Sequence, residues 1–295
     1  MGTEGGGLLL VHAHPDDEVL STGGAIAATL AAGRRVDLVT CTGGEEGEIH
    51  DPDLDPDQAR SRLGEIRAAE LACAVAALAG SGTGNRLNLH LLGYRDSGMM
   101  GSDANANPAS FWQADLEVAT RRLVAIAREA RPAVMVSYDE NGSYGHPDHI
   151  QAHRLAAAAY QAAADPGRFP DAGSPHAVAR LYQTAFSRDG WMGFLRAMTE
   201  RGIGLPWGFD PDAASDEAPF GVAEADISVR WDVSEHAAVK RAAMACHRTQ
   251  RQDFGWILDL PADLQAQVLG SETFVESEPH GPLLARILDS LFEGL

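Results

Sequence analysis

Basic residues are scarce in this 295-residue sequence, where 23 Lys and Arg stand against 42 Asp and Glu and give a formal net charge of −19. Such a charge opposes binding to phosphate backbones and anionic lipid surfaces, so we expect no nucleic-acid partner and no membrane partner. Apolar runs long enough to cross a bilayer are also missing. The N-terminus lacks the basic region of a signal peptide, so the sequence predicts a cytoplasmic protein.

Cysteine is equally rare, with only Cys41, Cys73 and Cys246 in the whole chain. They are far apart and form no C-x-x-C pair, so no metal-binding or redox motif is evident. We therefore expect three buried thiols in a reducing cytosol.

Short apolar runs alternate with helical periodicity through the first half of the chain. Strands are predicted at 8–13, 36–42, 87–92 and 134–138, and helices at 19–32, 58–78, 116–130 and 150–164. This alternation predicts an α/β, Rossmann-like fold whose mostly parallel sheet carries helices on both faces.

The second half has weaker periodicity and is rich in Pro, Gly and Asp over 165–226. Helices are predicted near 234–248 and 281–293. We expect residues 1–165 to form the catalytic core with the metal site. Residues 166–295 would form a smaller C-terminal lobe that completes the same structural unit and shapes the substrate pocket.

Polar clusters follow the first and fourth predicted strands, where an open α/β sheet binds its ligands. His-Pro-Asp-Asp occupies 14–17 and His-Pro-Asp-His occupies 146–149. Catalytic zinc takes three His or carboxylate ligands and keeps one position for water. The two clusters therefore predict one zinc ion per chain and a hydrolase.

Other hydrolytic plans lack their motifs, since the sequence has no H-E-x-x-H, no G-x-S-x-G and no phosphate-binding G-x-x-x-x-G-K-[ST] loop. A structural alternative stays open for each cluster. His14 or His146 would then merely cap a helix, with Asp16 and Asp148 as N-cap residues.

Three longer motifs resemble the zinc-dependent N-deacetylases of the LmbE-like (PIG-L) family. They are A-H-P-D-D-E at 13–18, T-C-T-G-G-E-E-G-E at 40–48 and Y-D-E-N-G-S-Y-G-H-P-D-H at 138–149. The R-D-S-G-M segment at 95–99 resembles more narrowly the actinobacterial branch that acts on N-acetylglucosaminyl-inositol or on mycothiol S-conjugates. The resemblance is dense over about residues 8–160 and looser beyond. It implies removal of an acetyl group from the 2-amino group of a glucosamine unit.

The resemblance also implies a metal-site assignment, in which His14, Asp17 and His149 hold the zinc and Asp16 is the general base. Elementary chemistry agrees, because zinc brings the pKa of a water molecule to about 7 and a neighbouring carboxylate can accept its proton. Two adjacent aspartates would then divide metal binding and proton transfer.

Further roles follow from the resemblance for three residues around the second cluster. His146 would stabilise the oxyanion or protonate the leaving amine, and Asp148 would hold its imidazole. Tyr144 would reach the tetrahedral intermediate. Ser143 departs from the family, where glycine is common, and we expect this to change the mobility of the loop that carries Tyr144.

Sugar or aglycone contacts are implied for Arg62, Glu48 and Asp96, whose charged groups suit hydroxyl partners. A surface salt bridge would explain each of them about as well.

Two alternatives to an amino-sugar deacetylase stay open. One is an amidase that cleaves a larger amide of the same scaffold, such as a mycothiol S-conjugate. The other is a sugar-binding module without catalysis. The aglycone should be recognised by residues 165–260. Aromatic residues in that region, such as Trp191, could form an interface between copies of the chain, so a homo-oligomer is also an expectation.

Overall fold

The computed structural model describes residues 6–80, 86–205, 221–277 and 287–295. Within these ranges, the strands are β1 (Leu8–His12), β2 (Val36–Thr42), β3 (Leu87–Tyr94), β4 (Val134–Ser137), β5 (Arg180–Ala185), β6 (Val229–Asp232) and β7 (Ser271–Glu276). The helices are α1 (Asp17–Ala31), α2 (Pro56–Ala59), α3 (Leu63–Ala79), α4 (Leu116–Ala130), α5 (Gly142–Gly145), α6 (Pro147–Ala164), α7 (Arg188–Glu200), α8 (Ala237–Met244), α9 (Arg251–Leu258) and α10 (Ala262–Leu269). Short 3₁₀ turns include Arg60–Arg62 and Arg248–Gln250.

The strands form one sheet in the order β3-β2-β1-β4-β5-β7-β6. The first five strands are parallel, and β7 pairs antiparallel with both β5 and β6. This confirms the predicted α/β class with a mostly parallel sheet. The strand order reverses between β1 and β4, and ligands bind at such a switch point in open α/β sheets.

Strand β1 is completely buried because helices cover both faces of the sheet. Leu8 and Leu10 face a core shared with α1, α3 and the C-terminal helices, whereas Leu9 and Val11 face a core shared with α4 and α6. Each buried leucine stabilises the fold by roughly 1.5–3 kcal/mol. The paired cores fix β1, and thereby the turn that follows it.

The second half of the chain continues the sheet of the first half, because β5, β6 and β7 all come from residues after 165. The division at residue 165 stays a prediction. Among the described residues, no helix is long and apolar enough to span a membrane.

Two expectations are wrong. Cys73 and Cys246 form a disulfide with their Cα atoms 5.7 Å apart, and only Cys41 is a buried free thiol among the described residues. The pair is separated by 173 positions, so its proximity depends on the packing of α3 against α8, which spacing alone does not show. The helix predicted at 281–293 is absent from its described part, where residues 287–295 form turns and Leu288 bridges to Val229. Its first part, residues 281–286, lies outside the described residues.

Candidate active site

The turns after β1 and β4 meet at the switch point of the sheet and bring together the three side chains expected to bind the metal. His14 precedes α1, Asp17 is its first residue, and His149 lies in the first turn of α6. The His14 Nδ1 atom is 3.5 Å from the nearer Asp17 oxygen and 3.3 Å from His149 Nε2. The His149 Nε2 atom is 3.5 Å from the other Asp17 oxygen.

The spacing of the two ring nitrogens fits a tetrahedral metal ion, because zinc bonds of about 2.0–2.1 Å place neighbouring ligand atoms about 3.3–3.4 Å apart. Asp17 approaches each nitrogen at 3.5 Å through a different carboxylate oxygen. The His–Asp–His donor set is also one that zinc accepts at catalytic sites. The cluster of histidines and aspartates is therefore able to hold a metal ion.

Two groups of side chains among the described residues could hold a metal ion; both include His14 and neither includes Asp17. His146 joins His14 and His149 within 4.8 Å, and the second group combines His14 and His146 with Asp96 and Asp148. In that second group, His14 Nε2 lies 3.2 Å from Asp148 and 3.6 Å from Asp96. The two ring nitrogens of His14 thus face different sides. Carboxylates on Nε2 orient the ring so that Nδ1 faces Asp17 and His149, as the outer partners of metal-binding histidines commonly do.

Asp148 was expected to hold the His146 imidazole, but its carboxylate contacts other groups. Its carboxylate accepts a bond from the Ser97 amide at 2.9 Å and another from the Ser97 hydroxyl, and it lies against His14. His146 is instead the N-cap of α6, where its Nδ1 accepts a bond from the Asp148 amide at 3.1 Å. The helix-cap alternative therefore holds for this nitrogen. An acceptor at Nδ1 leaves the proton of a neutral His146 on Nε2, which is free of that bond.

The electrostatics of the histidines differ although they share one cluster. Burial lowers the pKa of His146 to about 4, and the neighbouring His14 and His149 contribute to this shift. Burial also lowers the pKa of His149 to about 4, which keeps its ring neutral and available to a metal. Burial would lower the pKa of His14 too, but the carboxylates of Asp96, Asp148 and Asp17 outweigh it and raise that pKa well above 6.5.

Asp16 carries a carboxylate whose proton affinity suits a base near neutral pH. Burial raises the pKa of Asp16 to about 7, an effect that Arg67 opposes and Asp17 reinforces. The buried Arg67 guanidinium lies 3.1 Å from the Asp16 carboxylate and donates to the carbonyls of Pro15 and Gly44. A Cβ on Gly44 would overlap that guanidinium, which explains a glycine in the T-G-G-E-E-G motif.

Tyr144 brings a phenol to the mouth of the site. Its hydroxyl is 3.5 Å from His149 Nε2, and burial raises its pKa, so it stays a protonated donor. The preceding Ser143 has φ 66° and ψ −49°, a strained conformation for any residue with a Cβ. This explains why glycine suits the position.

The three expected sugar-contact residues differ in their placement. Asp96 is buried beside His14 and accepts bonds from the amides of Gly98 and Glu46. Arg62 and Glu48 are not brought into the cluster. The exposed Arg62 pairs with Glu65, and the exposed Glu48 pairs with His50.

Sequence reasoning missed Arg67 and Ser97, which touch the site residues. Arg67 lies on the buried stripe of α3 between Leu63 and Leu71, and an arginine on an apolar stripe signals a buried partner. Ser97 lies next to Asp96 in the R-D-S-G-M segment, but nothing in the sequence predicts its bonds to Asp148.

Comparisons with known proteins bear on the same residues. Residues 9–160 match the family PIG-L, described as GlcNAc-PI de-N-acetylase. Over 283 residues, the chain is 44% identical to the 1D-myo-inositol 2-acetamido-2-deoxy-alpha-D-glucopyranoside deacetylase of Thermobispora bispora, covering 95% of this chain and 91% of that protein. A protein of the same name from Geodermatophilus obscurus is 44% identical over 274 residues, with 90% of each chain covered.

Solved structures share the fold at low sequence identity. The N,N'-diacetylchitobiose deacetylase of Pyrococcus horikoshii has a TM-score of 0.58 and 18% identity, covering 93% of this chain and 84% of its own. GalB, the 4-carboxy-2-hydroxymuconate hydratase of Pseudomonas putida, has a TM-score of 0.59 and 17% identity, covering 94% and 98%. The fold thus serves more than one reaction, and the family rests on the sequence matches. By those matches, the chain belongs to the PIG-L family of de-N-acetylases.

Proposed function

We propose that this chain hydrolyses the N-acetyl group of a glucosamine unit linked to inositol, using one zinc ion held by His14, Asp17 and His149. The observation that carries the proposal is the convergence of three side chains at the switch point of the sheet, where His14 Nδ1 and His149 Nε2 are 3.3 Å apart and each lies 3.5 Å from one of the two Asp17 oxygens. The names of the two relatives, which are similar to this chain over nearly its whole length, support the substrate.

Zinc, when bound, lowers the pKa of water to about 7 and polarises a carbonyl group. The protein's own contribution begins with Asp16, whose carboxylate accepts the proton of the attacking water. Arg67 holds that carboxylate in place. Since the pKa of Asp16 is about 7, it can take the proton and later return it to the leaving amine near neutral pH.

Charge that develops on the carbonyl oxygen needs donors that are already in position. His146 offers Nε2–H, because its Nδ1 is an acceptor in the cap of α6. Tyr144 offers its phenol, whose oxygen is 3.5 Å from His149 Nε2. A pKa of about 4 for His146 favours a neutral donor over a proton source.

We keep Asp96, which lies 3.6 Å from His14 Nε2, as a candidate for contact with the sugar. Glu48 and Arg62 lie on exposed segments, and we keep them as candidates for contacts with the inositol side of the substrate. A cytoplasmic location and a homo-oligomer also stay predictions. Because Cys73 and Cys246 form a disulfide, the expectation of three free thiols no longer supports a cytoplasmic location.

The test measures acetate release after metal stripping and reloading with zinc. We expect turnover of N-acetylglucosaminyl-inositol by the reloaded protein, a weaker rate on simple N-acetylglucosaminides, and none by the stripped protein. A faster rate on a thiol conjugate of the deacetylated scaffold would favour the larger-amide amidase. Binding of zinc and sugar without any turnover would favour the non-catalytic module.

A further inference from the structure

The backbone of Asp16 is strained. It has φ 119° and ψ −28°, a region that residues with a Cβ rarely adopt. Such a conformation costs roughly 1–3 kcal/mol and persists only where its surroundings hold it. The strained residue is therefore the one proposed to act as the general base.

Glu18 holds this backbone from within the same turn. Its Oε2 atom accepts the Asp16 amide proton at 2.9 Å. The Glu18 side chain is completely buried, and a buried carboxylate needs further partners to offset its loss of hydration. The position of Glu18, and with it the Asp16 amide, therefore depends on what binds its other oxygen.

That partner is His247, which lies 229 positions away in the sequence, beyond the C-terminal end of α8. Its Nε2 atom is 2.7 Å from Glu18 Oε1, and both side chains are 0% exposed. The Nδ1 atom has no hydrogen-bond partner among the described residues. Within that part of the chain, Glu18 is therefore the one hydrogen-bond partner of the ring.

The chain of contacts from His247 through Glu18 holds the backbone amide of Asp16, while Arg67 holds its carboxylate. We propose that His247 is a positioning residue that, through Glu18, keeps the Asp16 carboxylate aimed at the attacking water. This inference rests on the proposed function, which makes Asp16 the base. It means that a residue from the C-terminal half of the chain helps to position that base.

The first test separates rate from binding in zinc-loaded protein. His247→Phe keeps an aromatic ring but cannot donate to Glu18, and we expect kcat to fall roughly 10- to 100-fold, since small displacements of a reacting group have effects of this size. KM and zinc content should not change. His247→Gln should recover most of the rate, because its amide can donate to Glu18.

The matched control is Thr249→Val, two residues away in the same buried segment. Its hydroxyl donates to Glu70 and does not touch Glu18. This variant should lower stability while leaving kcat at the wild-type value. A general effect of loosening the segment would instead reduce kcat equally in His247→Phe and Thr249→Val, and would overturn the inference.

The second readout needs neither metal nor turnover. In metal-free protein labelled with ¹⁵N-aspartate, the Asp16 amide signal is the one lost in Asp16→Asn. We expect its hydrogen exchange to be at least about 10-fold faster in His247→Phe, and near the wild-type rate in His247→Gln and Thr249→Val. Unchanged exchange and unchanged kcat in His247→Phe would contradict the inference.

If His247→Phe does not fold, Glu18→Gln replaces it with almost no change of shape. One amide oxygen cannot accept from both Asp16 and His247 as two carboxylate oxygens do, so kcat should fall and exchange should rise. Wild-type values of both would overturn the inference. A wild-type protein without deacetylase activity would refute the proposed function alone, because the exchange measurement would still test the His247 contact.

Discussion

Asp16 and Asp17 are neighbours in one turn, yet their carboxyl groups have opposite electrostatics. The pKa of Asp16 is raised to about 7 mainly by burial. Burial also acts on Asp17, but His149 and His14 outweigh it and hold its pKa well below 3.8. The sequence predicts a division of labour between the two. The direction of each shift could not be predicted, because it depends on contacts with residues far away in the chain.

A carboxylate at the opposite end of the sheet gives a pH-dependent stability. Asp37, near the start of β2, accepts two bonds from Arg35 and lies 2.8 Å from His90 Nε2. Burial would raise the pKa of Asp37, but bonds to His90 and Arg35 outweigh it and lower that pKa below 3.8. A carboxyl group with a lowered folded-state pKa stabilises the fold above its unfolded pKa, and this is lost as the pH falls through the folded value.

We therefore expect Asp37→Asn to reduce the free energy of unfolding by about 1–2 kcal/mol near pH 7. The difference from wild type should shrink as the pH falls below about 4, where the wild-type carboxyl group takes up its proton. Urea unfolding of both proteins from about pH 7 to about pH 3 measures this. A difference that stays constant or grows toward acid would contradict the assignment.

At the scale of elements, the meeting of the two His-Pro-Asp turns could be predicted and the C-terminal contacts could not. The turns at 14–17 and 146–149 follow strands with strong apolar runs, so their meeting follows from the geometry of a parallel sheet. His247 and the antiparallel strands β6 and β7 have no comparable signal. They are placed by packing against the first half of the chain, which no local pattern encodes.

The disulfide joins two such elements, because it links α3 to the residue immediately before His247. Its 173-residue separation means that the bond restricts the unfolded chain strongly. We expect a reductant, or the double change Cys73→Ser and Cys246→Ser, to lower the free energy of unfolding by about 2–4 kcal/mol. Chemical unfolding with and without the reductant measures this.

The double variant is also the control, since the reductant should not alter its stability. Thiol titration of the denatured, unreduced wild-type protein should find one thiol, that of Cys41. Three thiols would rule out the bond, and equal stability with and without the reductant would contradict its expected contribution to stability.

At the scale of the whole molecule, the predicted α/β class is confirmed, and the match to deacetylase relatives extends over nearly the whole chain. The roles of individual residues follow less directly. In the structure, Asp148 contacts His14 rather than His146, and Arg67 lies beside Asp16. Arg62 and Glu48 lie on exposed segments. Motifs predict where side chains converge. The hydrogen-bond partner of each side chain depends on its rotamer and on neighbours from distant segments of the chain.

The central claim is that the two adjacent aspartates do different work at one metal site. The most direct measurement is zinc content together with the rate of acetate release for Asp16→Asn and Asp17→Asn, with Asp37→Asn as a distant control. We expect Asp16→Asn to keep about one zinc per chain and to lose roughly two to four orders of magnitude in kcat. Asp17→Asn should lose zinc and activity together, and Asp37→Asn should keep both. Normal turnover by Asp16→Asn, or loss of zinc from Asp16→Asn with retention by Asp17→Asn, would contradict the account.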